Sequence, residues 1–199
     1  MFGTEANSAK KIGPRFYVGI NQCKVEKIEI KKSSTARVRL IFHLFGPKIT
    51  QEGFKAWEKE KGSGEYYEGQ CGSVVTSWFD PSSKEEVGKV WTRTIFPMLK
   101  CAGVYEAFGQ LVNENTSLED TVGVLSNLLV NDEVPFVYMN FGGEEYERPG
   151  KDFPGYNLFF RGFASDEAAS KKLTVGTMKK LTTQEESTAQ QVGDNDMPF

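Results

Sequence analysis

Histidine is nearly missing from this 199-residue chain, with His43 as the only one, and its three cysteines (Cys23, Cys71, Cys101) stand far apart without a CxxC pair. These shortages exclude the common Cys/His zinc arrangements and argue against a disulfide framework. Reduced thiols in a cytoplasm are the expectation. No apolar run is long enough to span a bilayer, and the opening "MFGTEANSAKK" lacks the apolar stretch of a signal peptide. Catalytic signatures are also missing. There is no GxxxxGK(S/T) loop, no GxSxG and no HExxH, so phosphate-loop, hydrolase-elbow and zincin chemistry lack their parts. His43 is the only base a triad would have, and it sits mid-strand beside no evident nucleophile. The acids of "GGEEYE" and "SLED" suit magnesium in principle, yet capping accounts for Glu119 and a solvated loop for Glu144 and Glu145. The expectation is a protein without catalysis, cofactor or metal.

What the chain does have is an ample apolar share, 39% hydrophobic and 13% aromatic, enough for one substantial domain with appendages. Its net charge of -3 conceals an asymmetry. Gln184 to Phe199 holds four acids and no Lys or Arg, which leaves +1 for the rest, and Met1 to Lys48 carries ten Lys/Arg against three Glu. A basic front end and an acidic tip hint at nucleic acid contact.

Residues 1–13 read as a flexible, polar N-terminus. "RFYVGINQCKVEKIEIKKSS" predicts one long strand whose alternation slips between Val25 and Ile28, suiting a bulge. "ARVRLIFHLF" alternates cleanly. Val38, Leu40, Phe42 and Leu44 are placed toward a core, and Arg37, Arg39, Ile41, His43 and Phe45 on the opposite face. That second face suits either binding or a solvated, protected edge. The segment "GPKITQEGFKAWEKEKGSGEYYEGQCG" predicts an elaborated loop with Trp57, Tyr66 and Tyr67 as stacking or tucked-in rings; "SVVTSWFD" predicts a third strand.

Two helices follow. The first is predicted to open on Ser82 with Glu85 at capping-box spacing, to bury Val87, Trp91, Ile95 and Met98, and to bend or end early at Pro97. The second is predicted to be capped by Thr116, with Glu119 three later, and to bury Leu118, Val122, Leu125 and Leu129. "VPFVYMNF" and "NLFFRGF" then predict two strands around a Gly/Pro-rich hairpin loop. In the last strand Leu158 and Phe160 are assigned to one face, with Phe159, Arg161 and Phe163 on the other. An Arg between rings suits a stacking platform, or alternatively a large aromatic core with one edge-exposed Arg. From Ala164 the chain turns polar, and 176–199 reads as a disordered linker and tail.

The expected fold is therefore mainly β, a five-stranded OB-type barrel at 14–175 with helices inserted between strands 3 and 4. Single strands need rings that stack bases and cations that track phosphates. The residues that mix these are Arg37, Arg39, Tyr66, Tyr67, Trp78, Tyr138, Tyr146, Arg148, Phe159 and Arg161.

The chain ends on "VGDNDMPF". That tip resembles the signature of bacterial and bacteriophage single-stranded DNA-binding proteins, whose disordered linkers end in acids and a terminal hydrophobic Pro-Phe. Asp194 and Asp196 match the acids, Met197 the aliphatic slot, and Pro198-Phe199 the end; Asn195 dilutes the acidic run. The body is similar, at pattern level, to phage-encoded OB-fold proteins with helices between the third and fourth strands. The resemblance implies a protein of replication, recombination and repair that coats single-stranded DNA in a host cytoplasm. It also implies partner proteins that hold Phe199 in an apolar pocket and the aspartates on a basic rim. An OB-fold accessory factor of a phage replisome without its own DNA binding is the alternative.

Overall fold

The computed structural model describes residues 15–47, 70–150 and 154–181. Three strands come first: β1 (Gly19–Lys32), β2 (Val38–Phe45) and β3 (Cys71–Val75). A helical insertion follows, made of α1 (Lys84–Val90), a π turn (Trp91–Ile95), α2 (Phe96–Cys101), α3 (Tyr105–Leu111) and α4 (Leu118–Leu129). The chain then returns as β4 (Val137–Tyr146) and β5 (Gly155–Ala164), makes the one-turn helix α5 (Glu167–Ser170), and reaches the short β6 (Met178–Lys179). The protein is thus mainly β, with every helix but the one-turn α5 inserted between the third and fourth strands, as the pattern predicts. The expected tail and the arm carrying Trp57, Tyr66 and Tyr67 lie outside the described residues.

β1 pairs with β2, β2 with β3, β3 with β5, β5 with β4, and β4 again with β1. Each of these five strands therefore has two hydrogen-bonded neighbours among the other four, and β4 also pairs with β6. Among the five, only the β3–β5 contact is parallel, and it is short: Val74 faces Leu158 and Val75 faces Phe159. The β1–β2 register shifts between Val25 and Lys27, at the predicted slip. A bulge there lets both Val25 and Ile28 point inward, and both are buried.

The inner face follows the sequence alternation. Val38, Leu40, Phe42 and Leu44 are all buried, as are Cys23, Val74, Val137, Met139, Phe141 and Leu158. Each such apolar side chain contributes roughly 1.5–3 kcal/mol on leaving water. Edge-to-face rings run through this interior, from Phe16 to Phe141 (5.7 Å), Phe141 to Phe160 (6.0 Å) and Phe160 to Phe42 (5.3 Å). The buried faces of α2 and α4 close over it where Met98, Ala102 and Leu129 meet Cys23, Val137 and Met139.

Several local expectations need correction. The first strand does not begin at Arg15. Gly19, at φ 111°, turns the chain there in a backbone geometry that side chains disfavour. Residues 15–17 run instead beside β3, with Arg15 bridged to Cys71. The third strand ends at Val75, though Phe79 still pairs with Val38. Both helix caps fall one residue later than predicted. Ser82 is engaged by the Asp80 carboxylate, so Ser83 caps α1 by accepting from Glu86 N. Thr116 Oγ1 likewise accepts from Asn113 N, and Ser117 caps α4 by accepting from Asp120 N. Pro97 does not end its helix. The wide π turn just before it carries the helical run on into α2, where proline occupies the first turn and its missing N–H costs nothing.

Phe163 is on the inner side, not beside Phe159 and Arg161. The β4–β5 register shifts between Asn140 and Phe141, so Phe141 faces Phe160 while Asn140 faces Gly162 and Met139 faces Phe163. Arg161 is the extra residue of that bulge. The bulge resets the alternation and sends Phe163 against Phe160, 5.2 Å between ring centres.

The first residues of the expected linker also take a fixed course. Residues 173–181 form a strap along β4. The buried Asn140 amide donates to Thr174 O (2.7 Å) and accepts from Gly176 N (2.9 Å). Gly143 N donates to Thr177 O, Met178 faces Gly143, and Lys179 pairs with Glu144.

Candidate nucleic-acid interface

The outer face of the strands is built from residues the alternation turns away from the core. Ile41 on β2 faces Val75 on β3, which faces Phe159 on β5, which faces Gly142 on β4. This apolar row crosses four adjacent strands. Two cations stand along one side of it, on either side of the segment 76–78 that leaves β3. Arg39, two residues before Ile41, lays its guanidinium over the Trp78 ring at 4.6 Å. Arg161, two residues after Phe159, lies over that ring at 4.8 Å. From strand spacing and rise, the Arg39 and Phe159 backbones are roughly 12 Å apart.

Gly142 makes the second stack possible. A Cβ on it would lie 2.8 Å from Phe159 and 2.9 Å from Arg161 Nε, so both side chains rest directly on its backbone. Glycine inside a strand often marks such a close approach. The pair of glycines in "NFGGEEY" carried this signal in the sequence, although the residue itself was not among the predicted ones.

Each stack is held lightly. A cation over an exposed ring is worth about 0.5–1 kcal/mol, whereas a base stacked on an aromatic side chain is worth about 1–3 kcal/mol. Each ring therefore presents a face that a flat π system could compete for, and each arginine is free to turn to another acceptor. Arg39 also keeps a buried Nε without a hydrogen-bond partner among the described residues. Nothing in its stack commits the guanidinium to an internal acid.

Arg37, just before β2, is placed differently. It donates to Trp78 O at 3.0 Å and makes a close ion pair with Glu86, whose carboxylate also accepts from Asp80 N. Arg37 thus ties α1 to the strand end and supports Trp78 from behind. Below the apolar row the face is polar. His43 Nδ1 is 3.0 Å from Ser73 Oγ, and its Nε2 lies 3.2 Å from Glu29 Oε2, an ion-pair distance without hydrogen-bond alignment. Glu29 is held below the usual carboxylate range, chiefly by its hydrogen bond from Lys27 and next by His43.

The remaining predicted residues are dispersed. Tyr146 ends β4 and is exposed, its ring over Gly155; Arg148 is exposed just beyond it. Tyr138 is half-buried on β4 opposite Gln22 and Ala164, about 13 Å along the strand from Gly142. The strap at Thr174–Gly176, clamped by Asn140, lies between it and the Phe159–Arg161 stack. Tyr66, Tyr67, Asp194, Asp196, Met197, Pro198 and Phe199 lie outside the described residues. A third ring-and-cation group was not predicted: Lys24 lies 5.1 Å over Phe136, which meets Phe45 edge-on at 5.8 Å. Lys24 and Phe45 are register partners across β1 and β2.

Among the described residues, no cluster of three His, Cys, Asp or Glu is arranged to hold a metal ion, and no helix is long and apolar enough to cross a membrane. No protein-family model matches the chain, and no curated protein matches it.

Proposed function

We propose that the protein binds single-stranded DNA without strong sequence preference, coating it during replication, recombination or repair. In this reading the ring of strand pairings is an OB-type barrel, closed by the β1–β4 contact and the parallel β3–β5 contact. The observation that carries the proposal is the pair of arginine-on-ring stacks, Arg39–Trp78 and Arg161–Phe159, flanking one apolar row on one outer face. Rings accept any base, and the two cations supply phosphate contacts that do not depend on sequence. Binding in this form needs no catalytic group or cofactor. The acidic tip, with Asp194, Asp196, Met197, Pro198 and Phe199, would recruit partner proteins and leave the barrel for the DNA.

A titration of labelled oligo-dT against wild type and an Arg39→Ala/Arg161→Ala variant tests this. We expect Trp fluorescence quenching, preference for single over double strands, and at least about a tenfold loss of affinity in the variant. The slope of log affinity against log salt should shrink by about 0.7 for each phosphate contact removed. Equal affinity for duplex, or a variant that binds as wild type does, overturns the proposal. A chain that shifts no DNA yet loses a bound protein on deletion of Met197–Phe199 would instead be an accessory interaction factor.

A further inference from the structure

The short segment before Gly19 is seated with more care than a chain end requires. Phe16 is buried, and its ring packs over Gly72 on β3. Its N–H donates to Cys71 O at 3.3 Å, and its carbonyl accepts from Tyr156 Oη at 3.1 Å. With Phe16 fixed, the extended chain turns Arg15 and Tyr17 to the opposite side, and both are exposed. Tyr17 is 51% exposed although its ring meets Tyr156 edge-on at 5.7 Å. An aromatic held in place yet left half open to water is a surface prepared for contact.

Its position continues the face described above. Arg15 bridges to Cys71, which opposes Phe45 and so lies on the outer side of β3. The parallel register that sets Val75 beside Phe159 puts Cys71 level with Gly155, where the Tyr146 ring lies over a backbone lacking a side chain. A Cβ there would sit 2.5 Å from that ring. By the same parallel count Arg15 and Tyr146 lie about four residues, roughly 13 Å, down the β3–β5 seam from Phe159, and Tyr17 about two residues, level with Ser73. Ser73 and Asn157 lie between on the same face.

We infer that Arg15 and Tyr17, with Tyr146, form a second contact platform for single-stranded nucleic acid, so that the strand runs along the β3–β5 seam. The inference rests on the proposed function and extends it to a direction and to two residues outside the first site. A charged strand with unpaired bases is the occupant that suits an exposed cation and two open rings in continuity with two further ring-and-cation stacks.

The test compares oligo-dT of about four and about twelve nucleotides on wild type and an Arg15→Ala/Tyr17→Ala variant, with Tyr17→Phe as the ring-preserving control. Both altered side chains are exposed, and Phe16 stays in place. The expected result is a five- to fifty-fold weaker grip on the long oligomer, an unchanged grip on the short one, and wild-type behaviour for Tyr17→Phe. Unchanged affinity at both lengths, or an equal loss at both, overturns the second platform while leaving the first intact. Failure of wild type to bind either oligomer instead removes the proposed function itself.

Discussion

Along β2 two surfaces alternate residue by residue, and they are stabilised in opposite ways. Val38, Leu40, Phe42 and Leu44 lose nearly all contact with water, while Arg39, Ile41, His43 and Phe45 stay partly open. The inner set is held by burial, which is non-directional and large in sum. The outer set is held by single ring contacts and exposed ion pairs, each worth about 1 kcal/mol or less. A surface stabilised so weakly can rearrange without disturbing the apolar interior beneath it. The comparison teaches that alternate residues of one strand are divided between holding the fold and facing outward, where the proposed binding would take place.

The largest test of that separation is on the inside. Phe42→Ala removes a fully buried ring that meets Phe160, and should lower stability by about 3–5 kcal/mol in urea unfolding. Protein that remains folded should still bind DNA near wild-type affinity. A Phe42→Ala protein as stable as wild type would break the comparison.

Gly142→Ala acts at the boundary between the two surfaces. Its new Cβ meets the Phe159 ring edge at 2.8 Å and Arg161 Nε and Cγ at 2.9 and 3.1 Å, so the stacked side chains must shift. Oligo-dT affinity should fall about five-fold or more, with stability changed by no more than about 1 kcal/mol. Melting temperature and anisotropy titration on the same preparation separate these effects.

The smallest effect is electrostatic. Glu29→Gln removes the acid nearest His43 and frees Lys27, so DNA affinity should rise about two- to threefold at low salt and converge with wild type at high salt. The pH dependence has a definite sign. Because the carboxyl of Glu29 lies below its ordinary range in the folded protein, its contribution to stability is present above about pH 4–5. It is lost as pH falls through the lowered value. The Glu29→Gln protein should lack that small acid-side component, as acid titration of unfolding would show.

Much of this architecture was legible residue by residue. The inward row of β2 could be read directly because period two is unbroken there. The slip at Val25–Ile28 announced its bulge because two apolar residues three apart cannot share a face otherwise. The caps were misplaced where two hydroxyls adjoin, since only the fold decides which one a neighbouring Asp80 carboxylate or Asn113 N–H engages. Phe163 was misplaced because the bulge at Arg161 has no signature in its own strand. The Arg39–Trp78 stack was beyond reach for another reason, as both residues were named but nothing in the chain joined them.

Sequence alone determined the β-rich class of the fold, the order of its first five strands with helices between the third and fourth, and the supply of rings and cations. Those properties follow from local periodicity and composition, which each segment carries by itself. Tertiary structure decided that Arg39 meets Trp78, that Arg161 lies on Phe159 above Gly142, and that Arg15 stands beside β3 instead of opening β1. Each of these depends on register between distant strands, set by how the whole apolar interior packs at once, and no single stretch of chain encodes that.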